Sequence, residues 1–169
     1  MASQKDIDKA YLRMCVEWAR LSTARRRKVG CLIVKSGQII SDGYNGTPKG
    51  FDNNCEEEVN GELVTKSIVL HAESNAITKL AKSNNSSDGA TLYVTCSPCF
   101  ECSKLIIQAG IKRVVHCHFY RNTSGLVLLD QANIEWSFYD LSSEFSADHF
   151  QSILHSSSRS QEGKQQLQQ

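Results

Sequence analysis

The chain has 169 residues, with 19 basic and 18 acidic side chains and a net charge of +1. That length suits a single domain with one substantial core. The near-neutral charge excludes a strongly basic nucleic-acid binder, and no apolar run of about 18 residues offers a membrane span. The charged opening MASQKDIDKA lacks the apolar centre of a secretion signal, so cytoplasmic residence is the default.

Ile7, Ala10, Tyr11, Met14, Cys15 and Trp18 recur at three- and four-residue intervals, the stripe of an amphipathic helix over 5–20 entered near Ser3. The basic run Arg25-Arg26-Arg27-Lys28 precedes a buried strand over 29–34. Ser36-Gly37 turns the chain, and Gln38 to Tyr44 returns as the second strand of a hairpin. Loop chemistry follows through Gly46, Pro48 and Gly50 to about residue 63. Ile68 to Ala81 reads as a helix and 90–95 as a strand. Pro98 starts a helix in its first turn, and Gly110 ends it. A strand over 113–118, a helix near 126–132 and a last strand over 134–139 complete the pattern. From about residue 156 the chain is rich in Ser and Gln and poor in apolar residues. A domain over 1–155 with a polar, disordered tail over 156–169 is expected. A hairpin followed by strands alternating with helices implies one α/β domain, a mixed sheet with helices on both faces.

An odd count of seven cysteines without a secretion signal favours buried or metal-bound thiols over disulfides. Cys99 and Cys102 form the closely spaced pair, in Pro98-Cys99-Phe100-Glu101-Cys102, and His71-Ala72-Glu73 opens the preceding helix. Thiols three apart on a helix share a face, and a helix N-terminus favours the thiolate. One imidazole and two thiolates suit zinc and leave its fourth tetrahedral position open to water, which the ion can ionise near neutral pH. Glu73 stands two residues past the histidine, placed to move protons and not to ligate. The H-x-E…P-C-x-x-C pattern is that of zinc deaminases acting on nucleobases. A structural zinc site would instead need a fourth donor, for which Cys96 is the candidate; a non-catalytic zinc module would also be indifferent to Glu73.

The segments HAESNAI (71–77), TLYVTCSPCFECSKLIIQAGIKRVV (91–115) and SDGYNGTPKGF (41–51) resemble the deoxycytidylate (dCMP) deaminases, of a compact phage or bacterial type within the cytidine deaminase-like superfamily. The likeness covers roughly residues 5–140. It implies a three-layer α-β-α fold around a five-stranded mixed sheet, and hydrolysis of dCMP to dUMP and ammonia on the way to thymidylate. It also implies one catalytic zinc per subunit on His71, Cys99 and Cys102, with Glu73 moving protons. Backbone groups at Ala72, Ser97 and Pro98 would bind the pyrimidine edge, with Asn45 near the sugar and Tyr120 against the nucleotide. For the 5′-phosphate, Ser22, Arg26 and Lys28 are the candidates; the alternative is a solvated surface turn. Family likeness further implies a hexamer, activation by dCTP and inhibition by dTTP. The regulatory triphosphate would carry Mg²⁺ and bind at Gly43, Tyr44, Asn45 and Gly46; the alternative is an ordinary hairpin exit loop. A membrane or nucleic-acid partner is not expected. A nucleoside cytidine deaminase and a tRNA adenosine deaminase are the nearest competing activities.

Overall fold

A computed structural model describes residues 1–146. The expected tail over 156–169, and the boundary at 155, lie outside the described residues. Helix α1 (Gln4–Ala19) starts at a capping box: Ser3 Oγ accepts from the Asp6 N–H while the Asp6 carboxylate accepts from the Ser3 N–H. Its buried face runs through Asp8, Leu12, Cys15, Val16 and Ala19, whereas Ile7 and Met14 point outward. The real face is rotated from the expected stripe, because apolar residues occupy two sides of this helix and periodicity alone does not choose between them.

Strands β1 (Gly30–Lys35) and β2 (Gln38–Tyr44) form the expected hairpin. Its turn residues Ser36 and Gly37 have φ of 52° and 75°, the left-handed pair that matches strand twist. A second, unforeseen hairpin lies in the stretch read as loop: β3 (Glu56–Val59) and β4 (Glu62–Thr65), pairing Val59 with Glu62 and Glu56 with Thr65. Asn60-Gly61 makes its turn, at φ of 53° and 81°. That Asn-Gly pair is the strongest local hairpin signal a sequence offers. Run Glu56-Glu57-Glu58 hides it, since a strand of acids shows no apolar alternation.

Helix α2 (Ala72–Leu80) begins four residues later than expected, capped by extended His71. Then come β5 (Thr91–Val94), α3 (Phe100–Gln108), β6 (Arg113–His116), α4 (Ser124–Gln131) and β7 (Glu135–Phe138). Pro98 stands just outside α3, since Cys99 is its N-cap, and Gly110 (φ 72°) follows its C-terminus as expected. The main sheet has strand order β2-β1-β5-β6-β7, with β1 antiparallel to β2 and β5, and β5, β6 and β7 parallel. The architecture is therefore the mixed five-stranded α/β fold that the alternating elements imply. Among the described residues, no helix is long and apolar enough to cross a membrane.

Each face of the sheet carries its own core. Ile33, Leu92, Val94 and Val114 pack with Ala76, Ile106 and Leu129 of α2, α3 and α4. On the other face Leu32, Tyr93 and Val115 pack with Leu12, Cys15 and Val16 of α1. Asp8 of α1 is buried and accepts a bidentate pair from Arg113 of β6 at 2.9 and 2.8 Å, and also the Tyr93 hydroxyl at 2.8 Å. This buried network fixes α1 across three elements. What matters for the site is that β2, β5 and β6 all end, and β1 begins, at the same rim.

Candidate active site

At that rim the N-termini of α2 and α3 meet. His71 and Cys99 are the N-caps, and Cys102 sits in the first turn of α3. His71 Nδ1 lies 3.5 Å from Cys99 Sγ and 3.4 Å from Cys102 Sγ. The three donor atoms lie within 4.8 Å of one another, the group of His, Cys and acidic side chains that could share a metal among the described residues. The Cys102 N–H donates to Cys99 Sγ at 3.5 Å. Hydrogen bonds from Cys102 and His71 hold the Cys99 thiol down at about 4, against burial. The same sulfur–sulfur contact, then burial, pushes the Cys102 thiol far up. The two thiols are thus strongly coupled, and a metal binding here takes both as thiolates and releases the protons they hold.

This donor set fits zinc, since two sulfurs and an imidazole nitrogen are its usual ligands and three protein ligands mark an open site. Cys96, the candidate fourth donor, does not join them. It is 5% exposed and receives the Arg27 guanidinium at 3.2 Å, while burial pushes its thiol up to about 11. Cys55, beside the acidic run, instead faces Thr23 Oγ1 at 3.5 Å.

A cleft of about 550 Å³ opens beside the three donors. Glu73 lines it from the first turn of α2, buried at 4% exposure, and that burial raises its carboxyl above the usual range. Ala72, Ser97, Asn45, Arg26 and Tyr120, all named above as substrate-binding candidates, also line it. Ser97 organises one wall: its N–H donates to the His118 carbonyl at 2.8 Å and its hydroxyl accepts from the Tyr120 N–H at 2.8 Å. The opposite wall hangs on Asn45, whose side chain accepts from the Val29 N–H and donates to the Arg27 carbonyl, both at 2.8 Å.

Other expected residues take different places. Ser22, Lys28 and Pro98 do not line the cleft. Ser22 is 2% exposed and its hydroxyl donates to the Asn45 carbonyl at 2.7 Å, so it braces the wall from behind. Gly43 and Tyr44 close β2, as the strand reading of Gln38 to Tyr44 has it, and Gly46 forms an antiparallel bridge with Leu70, the residue before His71. Neither Gly43 nor Gly46 has a positive φ; among the glycines of this stretch only Gly50 does, at 93°.

The sequence reading missed Arg27, Arg121, Glu56 and Thr65, all of which line the cleft. Arg27 was within reach, since it stands in the basic run, but an irregular segment has no period to say which side chain turns inward. Glu56 and Thr65 come from the second hairpin, which the Asn-Gly pair could have revealed.

A donor triad able to hold a metal ion, beside a buried carboxylate and a cleft lined by arginines, is the arrangement of an enzyme active site. Residues 5–118 match the cytidine and deoxycytidylate deaminase zinc-binding region. The chain is 36% identical over 125 residues to the deoxycytidylate deaminase of Mycobacterium phage D29, covering 68% of this chain and 96% of that one. It is 37% identical over 131 residues to the enzyme of the same name from Enterobacteria phage T4, covering 55% and 68%. Among solved structures, the dCMP deaminase of cyanophage S-TIM5, in complex with dCMP and dUMP, aligns with TM-score 0.76 and 42% identity over 82% of this chain and all of that one. The chain belongs to the cytidine and deoxycytidylate deaminase family.

Proposed function

We propose that this chain is a zinc-dependent dCMP deaminase, converting dCMP and water to dUMP and ammonia. The observation that carries the reading is the convergence of His71, Cys99 and Cys102 without a fourth protein donor among the described residues, with buried Glu73 two residues past His71. The names of the phage relatives and the dCMP and dUMP of the cyanophage neighbour support the choice of substrate.

His71, Cys99 and Cys102 would hold Zn²⁺, which when bound makes a water nucleophilic at neutral pH. Glu73 accepts one proton of the attacking water and passes it to N3 of cytosine; it then takes the second from the new C4 hydroxyl and gives it to the departing amine, so that ammonia leaves and the C4 carbonyl of uracil forms. Its raised proton affinity suits a group that must both take and give. Ala72 and Ser97 offer backbone groups to the pyrimidine edge. Asn45 keeps the wall between Arg27 and Val29 in register beside the sugar, and Tyr120 covers the nucleotide. Arg26, Arg27 and Arg121 supply cations for the 5′-phosphate.

Regulation is part of the proposal: a dCTP or dTTP with Mg²⁺ at Tyr44, Asn45 and Gly46, in a homo-oligomer taken to be a hexamer and located in the cytoplasm, host cytoplasm if viral. The Gly46–Leu70 bridge supports it, because it ties that loop directly to the residue preceding His71.

The test is dUMP and ammonia release by the zinc-loaded chain with dCMP, deoxycytidine, cytidine and adenosine in parallel, with and without dCTP and dTTP. Glu73→Gln should keep its zinc and lose at least about 100-fold in kcat. Turnover of dCMP at the wild-type rate by that variant would refute the role given to Glu73.

A further inference from the structure

Glu56 is nearly fully buried, at 1% exposure, yet it lines the cleft. One of its oxygens is fully used: Oε1 accepts from the Arg25 N–H at 2.9 Å and the Arg26 N–H at 3.1 Å. The other, Oε2, has no hydrogen-bond partner among the described residues. The Arg25 Nε lies 3.8 Å from it, beyond hydrogen-bond reach, on a side chain 59% exposed to solvent. A buried carboxylate oxygen left unpaired is costly, and on a residue that lines the cleft a donor carried by a ligand would relieve that cost.

The chemistry of the proposed substrate narrows that donor. The phosphate carries only negative charge, and a carboxylate repels it. The cytosine amine must lie at the metal centre, where Glu73 already serves. A deoxynucleoside 5′-monophosphate has lost its 2′-hydroxyl and esterified its 5′-hydroxyl, so one O–H donor remains. We propose that Glu56 is a specificity-determining residue that accepts a hydrogen bond from the 3′-hydroxyl of the sugar. This inference rests on the deoxynucleotide reading given above.

The two backbone N–H groups pin Oε1, so Oε2 is held in place before substrate binds, and little side-chain freedom remains to be lost. The same grip links sugar recognition to charge placement, because the N–H groups belong to the segment carrying Arg26 and Arg27 into the cleft. Hairpin β3–β4 thereby acquires a purpose, as the element that delivers this carboxylate.

The experiment compares kcat/KM of the zinc-loaded enzyme for dCMP and for 2′,3′-dideoxycytidine 5′-monophosphate, in the wild type and in Glu56→Gln. Wild type should prefer dCMP by about 10- to 100-fold, the range for a hydrogen bond to a charged group. In Glu56→Gln, whose amide oxygen can keep the two N–H groups while its NH2 meets the hydroxyl as a neutral donor, that preference should fall by about 5- to 10-fold, the difference between a charged and a neutral hydrogen bond. A wild-type ratio near one overturns the proposal without any variant, and so does a preference that the substitution leaves unchanged. If wild type turns over neither nucleotide, the deaminase reading fails and this inference falls with it; turnover of both at equal efficiency sinks the Glu56 assignment alone.

Discussion

Gly43 of β2 lies directly against the first turn of α2, so that a Cβ there would overlap the Ala72 carbonyl oxygen and stand 2.7 Å from the Ala76 nitrogen. Gly30 of β1 stands in the same relation to α1, where a Cβ would lie 2.6 Å from the Ala19 nitrogen. Each helix thus crosses its strand at a point with no side chain. For α2 the crossing sits directly behind His71 and Glu73, and it sets how deeply both residues enter the cleft.

Gly43→Ala should therefore cost about 2 kcal/mol, within the range of overpacked sites, and weaken zinc retention together with stability. Gly46→Ala is the control, since a Cβ there meets nothing within 4 Å. Thermal melting and zinc content against a graded chelator would read both. Equal effects of the two substitutions would contradict the packing role of Gly43.

Phosphate recognition gives a second expectation. Arg27→Ala and Arg121→Ala should raise KM for dCMP by roughly 10- to 100-fold, the scale of a charge-assisted hydrogen bond, with a much smaller change for deoxycytidine. Lys28→Ala, at a position outside the cleft, should alter neither KM by more than about twofold. Steady-state kinetics on both substrates separates these outcomes, and equal losses on the two would count against a phosphate contact.

Acid should strike the Asp8–Arg113 network. Burial alone would raise the Asp8 carboxyl, but the bonds from Arg113, Gln4 and Tyr93 outweigh it and hold the group below the usual carboxylate range. The folded state therefore binds this proton later than the unfolded chain. Its stabilisation is complete above the unfolded value, about 3.9, and disappears as pH falls through the lower folded value. Asp8→Asn should cost about 3 kcal/mol at pH 7, since it removes the buried carboxylate from largely buried Arg113 and leaves it the exposed Glu135 as ionic partner. The gap to wild type should narrow below pH 4 in urea melts recorded over a pH series.

His116 acts at higher pH. It is fully buried against Phe119, Trp136 and Phe138, with Nδ1 3.1 Å from the His118 carbonyl and no hydrogen-bond partner for Nε2 among the described residues. Burial lowers it to about 4. Because the unfolded imidazole takes its proton near 6.5, the unfolded state gains between 6.5 and 4, and stability falls there by about 1.4 kcal/mol per pH unit. Above 6.5 this contribution is fully present. His116→Phe, which keeps a ring in the aromatic cluster, should remove that slope. A wild-type and variant pair with parallel stability curves from pH 7 to 4 would refute the assignment.

The two zinc-site motifs were legible because their information is local. The spacing of Cys99 and Cys102 and the order His71, Glu73 survive in the chain whatever surrounds them, and strand–helix alternation announced the mixed sheet. The face of α1 was not legible, because Ile7 and Met14 satisfy the helical period as well as Leu12 and Val16 do. Nor was the inward turn of Arg27 over Lys28, or the role of Gly43, which family likeness placed at a ligand and packing places under a helix.

What the sequence determined by itself is the inventory: an imidazole and two thiols with zinc spacing, one carboxylate beside them, and the alternation that builds an α/β sheet. What tertiary structure alone decided is which polar groups from distant segments complete the wall of the cleft. Glu56, Arg27 and Arg121 reach it from a hairpin, an irregular stretch and a strand-end loop. The physical reason is that periodicity encodes burial along one element, whereas a cleft is enclosed by elements whose relative placement depends on every packed face of the sheet at once.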